Sequence, residues 1–212
     1  MSGDEGMMEA FRLGQDIHAA TAAKVYGVDM ELVSKEMRRN AKTVNFGIVY
    51  GISAFGLAER LGIPRREAAA IIEQYFAKYP GIREYMDRTI AFACENGYVE
   101  TLMKRRRYIK DITSANAVVR GFAERNAINA PIQGSAADMI KIAMINIFNE
   151  MERMKLRSRM ILQVHDELVF DARKDELEVL RSIVEDRMKF AIPMQVPIEV
   201  EMNAGENWLD AH

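Results

Sequence analysis

The hydrophobic period of the sequence changes after Ser158, and this change limits the folds that the chain can adopt. Upstream, apolar residues recur every three or four positions, as on the buried face of a helix. Downstream, residues 160–164 and 168–170 are short apolar runs of strand length, and residues 196–202 alternate apolar with polar, with Pro197 suiting an edge. The sequence therefore predicts a mostly helical α+β fold with a β-hairpin and one further strand near its end.

Caps and turn residues divide the rest of the sequence into helices. Gly14 marks a break, Gly27 an end, and Pro64 the first position of a helix. We predict helices over residues 6–26, 35–50, 64–78, 82–95 and 115–127, a break at 128–131, a long helix from residue 132, and a last one over 177–188. The change of pattern near residues 124–131 predicts a boundary between one region over residues 1–124 and another over residues 125–212.

Composition limits the class of protein. The chain has 212 residues, 49% of them hydrophobic, and a net charge of -2, so nucleic-acid binding would depend on local clusters of charge. One cysteine, Cys94, excludes an internal disulfide. The acidic start of the chain does not resemble a signal peptide, and no apolar run reaches the roughly 18 residues of a membrane span. We expect a globular protein of a reducing compartment.

One predicted helix combines two cations and two aromatic rings on a single face. At about 100° per residue, Arg38, Lys42, Phe46 and Tyr50 form one stripe. Two cations one turn apart suit the phosphates of a nucleotide, and an aromatic ring next in line suits its base. If Ser34 caps this helix, Arg38 lies near its positive end, and a bound anion would remove that conflict. The alternative is a solvated basic face whose rings pack in the core.

Two adjacent acids, Asp166 and Glu167, follow an apolar strand. A Mg²⁺ site usually takes one or two carboxylates, with water and substrate phosphates as the other ligands. Because neighbours on a strand point to opposite faces, both acids can ligate one ion only if the turn bends. We expect the apolar runs on both sides to bury the approaches to this turn, and the alternative is an ordinary exposed acidic turn.

Three hydrogen-bond donors, Arg125, Asn129 and Gln133, are spaced by four residues. The minor groove of a duplex offers acceptors at nearly the same place for every base pair, so such donors can test base-pair shape without reading sequence. The alternative is helix capping and internal hydrogen bonding. Arg105 and Arg106 belong to a basic run that suits a phosphate backbone or a solvated surface.

Three segments together resemble the motifs of family A DNA polymerases, the bacterial DNA polymerase I family. Residues 38–51, Arg-Arg-Asn-Ala-Lys-Thr-Val-Asn-Phe-Gly-Ile-Val-Tyr-Gly, are similar to motif B. Residues 163–168, Gln-Val-His-Asp-Glu-Leu, are similar to motif C, and residues 123–134 are similar to the segment between the two. The similarity runs from about Ser2 to the C-terminus with order and spacing retained.

The resemblance implies a nucleotide site on the predicted helix. Arg38 and Lys42 would hold the triphosphate of the incoming nucleotide, Phe46 would stack near its base and sugar, and Tyr50 would close the pocket beside the template base. A lone histidine on a helix such as His18 is usually structural, but His18 matches a family histidine near the triphosphate, and with this match the structural and the functional role fit it equally well. Phe at position 46 resembles the members that discriminate against dideoxynucleotides.

The resemblance also implies a reaction, template-directed DNA synthesis. The primer 3′-hydroxyl would attack the α-phosphate of a deoxynucleoside triphosphate at a site with two Mg²⁺ ions, and Arg38 and Lys42 would neutralise developing charge. Asp166 would ligate the metals with Glu167 as its supporting neighbour. Contacts to primer–template DNA are implied for Arg125, Asn129, Gln133 and His165.

One motif of the family is not in the sequence: motif A, an Asp-Tyr-Ser-Gln-Ile-Glu-Leu-Arg-like strand that would precede Ser2. We therefore expect a fragment, with fingers over residues 1–124 and a partial palm over residues 125–212, whose metal site is half present. Such a fragment would be inactive alone and would need the upstream palm and thumb of the same full-length chain.

Two other functions fit the same residues. One is a non-catalytic nucleotide- or DNA-binding module, and the other is a related single-subunit RNA polymerase. For the polymerase interpretation we expect a role in DNA replication and repair, and a location in the bacterial cytoplasm at the nucleoid.

Overall fold

A computed structural model describes residues 1–211 of the chain and, within them, the side chains other than that of Lys24. Helices dominate, and two small antiparallel sheets of two strands each complete the fold, which confirms the expected α+β class. The helices are α1 (Glu5–Arg12), α2 (Ile17–Tyr26), α3 (Lys35–Val49), α4 (Ala54–Leu61), α5 (Arg65–Lys78), α6 (Pro80–Asn96), α7 (Ala117–Arg153), α8 (Leu177–Lys189) and α9 (Trp208–Ala211), with a 3-10 turn at Met30–Leu32. The strands are β1 (Tyr98–Glu100), β2 (Arg106–Tyr108), β3 (Arg159–Val164) and β4 (Glu167–Asp171).

The chain divides into two compact units, the first over Met1–Ile132 and the second from Gln133 onwards. Helix α7 runs from one into the other, so this division falls inside a helix and later than residue 124.

Capping residues set the ends of the helices that matter for the first unit. The hydroxyl of Ser34 accepts the N–H of Met37 at 3.1 Å and begins α3, as the sequence predicts. Gly27 ends α2 in the left-handed region with a φ of 65°. The register of α3 is fixed by its buried side, which carries Ala41, Val44 and Ile48.

The core of the first unit lies between α3, α4, α5 and α6. Its buried residues are Val44, Ile48, Leu57, Ala58, Ala68, Ile71, Tyr75, Tyr79 and Ile82. Because α3 buries this side, the opposite side, with Arg38, Lys42 and Phe46, is exposed to solvent.

In the second unit, α7 and α8 form a two-helix layer behind the β3–β4 hairpin. Ala143, Ile147 and Met151 of α7 pack with Leu180, Ile183 and Val184 of α8, and Met160, Leu168 and Phe170 of the hairpin cover them. The hairpin, its turn and helix α8 are where the sequence places them.

The proline in α7 does not interrupt it. The predicted break at residues 128–131 is wrong, because the helix continues for 37 residues with Pro131 inside it. A proline in a helix interior removes one hydrogen bond and costs about 3 kcal/mol. Ala127, Ile128 and Pro131 are buried, and this packing holds the helical path through the proline.

Two predictions about the upstream helices need correction. Helix α4 was not expected, because it is short, contains Gly56 and lies between Gly51 and Gly62, a composition typical of a loop. Pro64 is the residue before α5 and not its first residue. Helix α6 follows almost at once, with Pro80 at its first position.

The prediction of a strand over residues 196–202 is wrong, although the alternation of burial that suggested it is present. Val196, Ile198, Val200 and Met202 are half-buried and the residues between them are exposed. Within residues 1–211 this segment has no strand beside it to pair its backbone, so its side chains alternate without a sheet.

The β3–β4 hairpin is less buried than its apolar sequence predicts. One face packs on α7 and α8, but Ile161 and Leu162 are 59% and 45% exposed.

Among residues 1–211, no helix is long and apolar enough to cross a membrane.

Candidate nucleotide-binding face and acidic turn

The N-terminal end of α2 packs beside α3 and adds two residues to the predicted stripe. We call this surface the α2–α3 face; it consists of Asp16, His18, Arg38, Lys42, Phe46 and Tyr50. Each of these side chains is exposed or half-buried, so a ligand can reach them.

Arg38 is held by a carboxylate from the neighbouring helix. Its Nε donates to Oδ2 of Asp16 at 2.5 Å, while Oδ1 of Asp16 accepts the backbone N–H groups of His18 and Ala19 at 3.0 Å each. The hydrogen bond from Arg38 lowers the pKa of the Asp16 carboxyl, with the two backbone N–H groups adding to the effect and burial opposing it. Asp16 thus caps α2 and offsets the unfavourable place of Arg38 near the start of α3.

His18 is held in one tautomer by a buried amide. Nδ2 of Asn45 lies 2.9 Å from Nδ1 of His18. With the amide as donor, Nδ1 accepts and the proton of the neutral ring is on Nε2. Burial is the main cause that lowers the pKa of His18; Arg38 and Lys42 lower it further, while Asp16 raises it. The ring is therefore a neutral hydrogen-bond donor near pH 7.

The aromatic part of the face is exposed. Phe46 is 48% exposed. Its ring therefore does not pack in the core, as it would if the stripe were only a solvated basic face. Its centroid lies 5.8 Å from that of His18 and 6.3 Å from that of Tyr50, with an angle of 24° to the Tyr50 ring. Nζ of Lys42 lies 5.9 Å from the Phe46 centroid, at cation–π distance. Charge and ring surface are thus adjacent, as a nucleotide requires.

Arg125 lies at the C-terminal end of α3. Gly51 has a φ of 75°, which favours glycine, and a Cβ on it would be only 3.2 Å from Cγ of Arg125. The Arg125 guanidinium is 5.9 Å from the ring of Phe122. Asn129, half-buried on the same helix, has an Oδ1 that is buried without a hydrogen-bond partner.

The basic run forms the return strand of the β1–β2 hairpin. Nε of Arg106 donates to Oε1 of Glu100 at 3.1 Å and its guanidinium lies 4.4 Å from the ring of Tyr98, and the hydrogen bond to Glu100 raises the pKa of Arg106. The backbone N–H of Arg105 donates to Oγ1 of Thr101 at 3.2 Å. Both side chains are exposed, so an ion pair within the hairpin and a phosphate contact are compatible roles.

The two acids of the second unit sit at a tight turn. His165 and Asp166 form the turn, and Glu167 begins β4 paired with Val164. His165 has a φ of 53°, and its carbonyl accepts a hydrogen bond from Nε2 of Gln163. The backbone therefore turns at His165 and Asp166, immediately before Glu167.

The donor set of this turn matches part of a Mg²⁺ site. Asp166 and Glu167 are exposed carboxylates, and within residues 1–211 no cluster of three or more His, Cys, Asp or Glu side chains is placed to hold a metal. Mg²⁺ accepts one or two carboxylates when water and phosphate oxygens fill the remaining positions. The pair fits an ion that is shared with a phosphate.

Some of the predicted residues form one face of the first unit, and others belong to the second unit. Arg38, Lys42, Phe46, Tyr50 and His18 form one face of the first unit, with Arg125 beside Gly51. Gln133, His165, Asp166 and Glu167 belong to the second unit. Sequence reasoning missed Asp16 and Asn45. Asp16 stands 22 positions before Arg38, and only the cap-like sequence Asp-Ile-His could have pointed to it.

Comparison with known proteins identifies the same resemblance over nearly the whole chain. The sequence profile of DNA polymerase family A matches residues 1–210. DNA polymerase I of Geobacillus stearothermophilus is 52% identical over 208 residues, which cover 98% of this chain and 24% of that protein. DNA polymerase I of Caldicellulosiruptor bescii is 50% identical over 210 residues, covering 99% of this chain and 25% of that protein.

A solved structure agrees with the sequence comparison. The POL domain of Pol1 from M. smegmatis, in complex with DNA primer-template and dNTP, matches this fold with a TM-score of 0.94 and 44% identity, over 99% of this chain and 37% of that one. The chain spans about a quarter of the length of the curated relatives it matches.

Proposed function

Because this chain belongs to DNA polymerase family A, we propose that it serves template-directed DNA synthesis by binding the incoming deoxynucleoside triphosphate and contributing some of the metal ligands. The observation that carries the proposal is the α2–α3 face, where two cations one turn apart are followed by an exposed aromatic ring. The relatives named DNA polymerase I and the dNTP complex of the structural neighbour support it.

Different residues of the α2–α3 face would contact different parts of the nucleotide. Lys42 supplies a point charge to the triphosphate, and Arg38 supplies a planar fork of donors that matches phosphate oxygens. Neutral His18 donates from Nε2. Phe46 offers the ring surface for the base and sugar, and Tyr50, stacked on it, closes the end of the face. As pyrophosphate leaves, the two cations stabilise the negative charge that develops on it.

The acidic turn supplies ligands for metal. Asp166, with Glu167 beside it, would hold Mg²⁺, and two such ions when bound provide the Lewis acidity that phosphoryl transfer needs. The turn presents the carboxylates at an exposed position, where phosphate oxygens and water can complete the coordination. We propose that the primer 3′-hydroxyl is the nucleophile at this metal site.

The donors on α7 and at the turn would contact primer–template DNA. Arg125, Asn129, Gln133 and His165 are the proposed set, and Arg105 and Arg106 would contact the phosphate backbone of the duplex. In this assignment residues 1–124 act as fingers and residues 125–212 as a portion of the palm. The relatives are about four times longer, and we propose that palm and thumb segments of the same polypeptide complete the site.

A chimaera tests the proposal directly. This sequence replaces the matching 208-residue segment of the Geobacillus stearothermophilus DNA polymerase I, and extension of a primed template is measured. We expect extension by the chimaera, loss of at least about a hundredfold in rate for Asp166→Asn, and little change for Asp171→Asn at the other end of β4. Nucleotide binding without extension in a folded chimaera would favour the non-catalytic binding module. Extension with ribonucleotides in preference to deoxynucleotides would favour the RNA polymerase.

A further inference from the structure

We propose that Asp16 is a positioning residue for the nucleotide site: it fixes the guanidinium of Arg38 so that its terminal N–H groups face a triphosphate. This rests on the proposed function, since it assigns Asp16 to the same face. Asp16 lies outside the motif B segment, and its proposed role requires no contact of its own with the phosphates.

The geometry of the carboxylate separates its two tasks. Oδ1 accepts the N–H groups of His18 and Ala19 and so caps α2. Oδ2 accepts from the guanidinium, at 2.5 Å from Nε of Arg38. Because the cap fixes the orientation of the carboxylate, the carboxylate fixes the plane of the guanidinium.

Arg38 contacts Asp16 through Nε, which leaves its other N–H donors available to a ligand. A guanidinium has five N–H donors, and the hydrogen bond to Asp16 uses the one on Nε. The four donors on Nη1 and Nη2 remain, and one from each nitrogen can pair with two phosphate oxygens. An arginine held through Nε therefore binds phosphate at a lower entropic cost than a free one.

Charge alone predicts the opposite effect. Asp16 is negative and acts on the pKa of His18 as a nearby anion, which raises that pKa against the effect of burial. If the carboxylate did no more than neutralise Arg38, its removal would strengthen binding of an anionic triphosphate. The sign of the change on removal therefore decides between positioning and simple neutralisation.

Asp16→Asn is the variant that separates these tasks. Asparagine caps a helix about as well as aspartate, because its side-chain oxygen still accepts the N–H groups of residues 18 and 19. The charge that holds Arg38 is lost. The variant is therefore expected to retain the fold, with no more than a small fall in its urea midpoint from loss of the exposed ion pair, so that any change in binding comes from the lost contact with Arg38 and not from unfolding.

The test is equilibrium binding of dATP, dAMP and deoxyadenosine to the 212-residue chain in Mg²⁺ at fixed ionic strength. We expect Asp16→Asn to weaken dATP binding about two- to tenfold and to leave deoxyadenosine binding unchanged. In the Arg38→Ala background the same substitution should have no further effect. Arg39→Ala, an exposed arginine one position away, is the matched control and should bind dATP as the wild type does.

The outcomes are distinct from those of the proposed function. Equal or tighter dATP binding by Asp16→Asn would overturn the positioning role while leaving a Lys42-dependent site intact. It would also be overturned if Asp16→Asn lost affinity equally for dATP and for deoxyadenosine. The same holds if Asp16→Asn weakened dATP binding as much in the Arg38→Ala background as in the wild type. Absence of dATP binding by the wild type would refute the proposed function and the positioning role together.

Discussion

The amide of Asn45 holds the ring of His18: Nδ2 of the one lies 2.9 Å from Nδ1 of the other. Asn45 is buried on the inner side of α3, immediately before the exposed Phe46, so the core of the first unit determines the tautomer of a residue on the α2–α3 face. The ring of His18 is tilted by 39° against that of Phe46. A neutral, oriented N–H donor is thus built into the face before any ligand arrives.

The lowered pKa of His18 predicts a pH dependence of stability. Because burial disfavours the charged ring, the folded chain binds a proton at His18 less readily than the unfolded chain does. In the unfolded chain a histidine has a pKa of about 6.5. The free energy of unfolding should fall as the pH drops from about 6.5 through the pKa of His18 in the folded chain. The contribution of the neutral His18 ring to stability should be fully present above about pH 6.5.

Urea unfolding between about pH 5 and pH 7.5 checks this, with His18→Gln as the comparison. Glutamine does not titrate, so the variant should show a smaller loss of stability on acidification than the wild type. Equal slopes for the two proteins would mean that the ring of His18 is not desolvated in the folded chain.

Neighbouring side chains on α3 should separate stability from binding. Ile48 is buried in the first core, so Ile48→Ala is expected to lower the free energy of unfolding by about 2–5 kcal/mol. Phe46 is about half exposed, so Phe46→Ala should cost about 1 kcal/mol or less while weakening nucleotide binding. Urea titrations and dATP binding measure the two effects. A large loss of stability in Phe46→Ala would show that its ring is structural.

The acidic turn should bind a divalent ion through Asp166. Mn²⁺ is the probe, and paramagnetic broadening of the backbone amides of residues 164–168 is the readout. Asp166→Asn is expected to raise the dissociation constant at least about tenfold, since loss of even an outer-shell partner weakens metal sites about 10- to 100-fold. Asp171→Asn, an exposed acid at the other end of β4, should keep the broadening. Broadening that persists in Asp166→Asn would place the ion elsewhere.

Local patterns in the sequence predicted much of the fold. Ser34, Gly27 and the apolar spacing of α3 act within a few residues, and the helix they predict is the helix observed. The turn at His165 and Asp166 is equally local, because two apolar strands of similar length determine its place.

Long-range contacts account for the rest. Whether Pro131 breaks α7 depends on the burial of the residues around it, and whether residues 196–202 form a strand depends on a neighbouring strand; neither is encoded locally. The stripe on α3 was visible in the sequence, but Asp16 and Asn45 reach it through the packing of α2 on α3. Helical spacing cannot reveal such contacts.

The most direct test of a triphosphate site on the α2–α3 face is the affinity of the chain for dATP in Lys42→Ala and Arg39→Ala. Both remove one cation from α3, but only Lys42 lies on this face, next to Phe46. Because a hydrogen bond to a charged group contributes about 1.5–3 kcal/mol, Lys42→Ala should weaken dATP binding about tenfold or more. Arg39→Ala should leave it unchanged. Equal affinities for Lys42→Ala and the wild type, or equal losses in the two variants, would contradict a triphosphate site on this face.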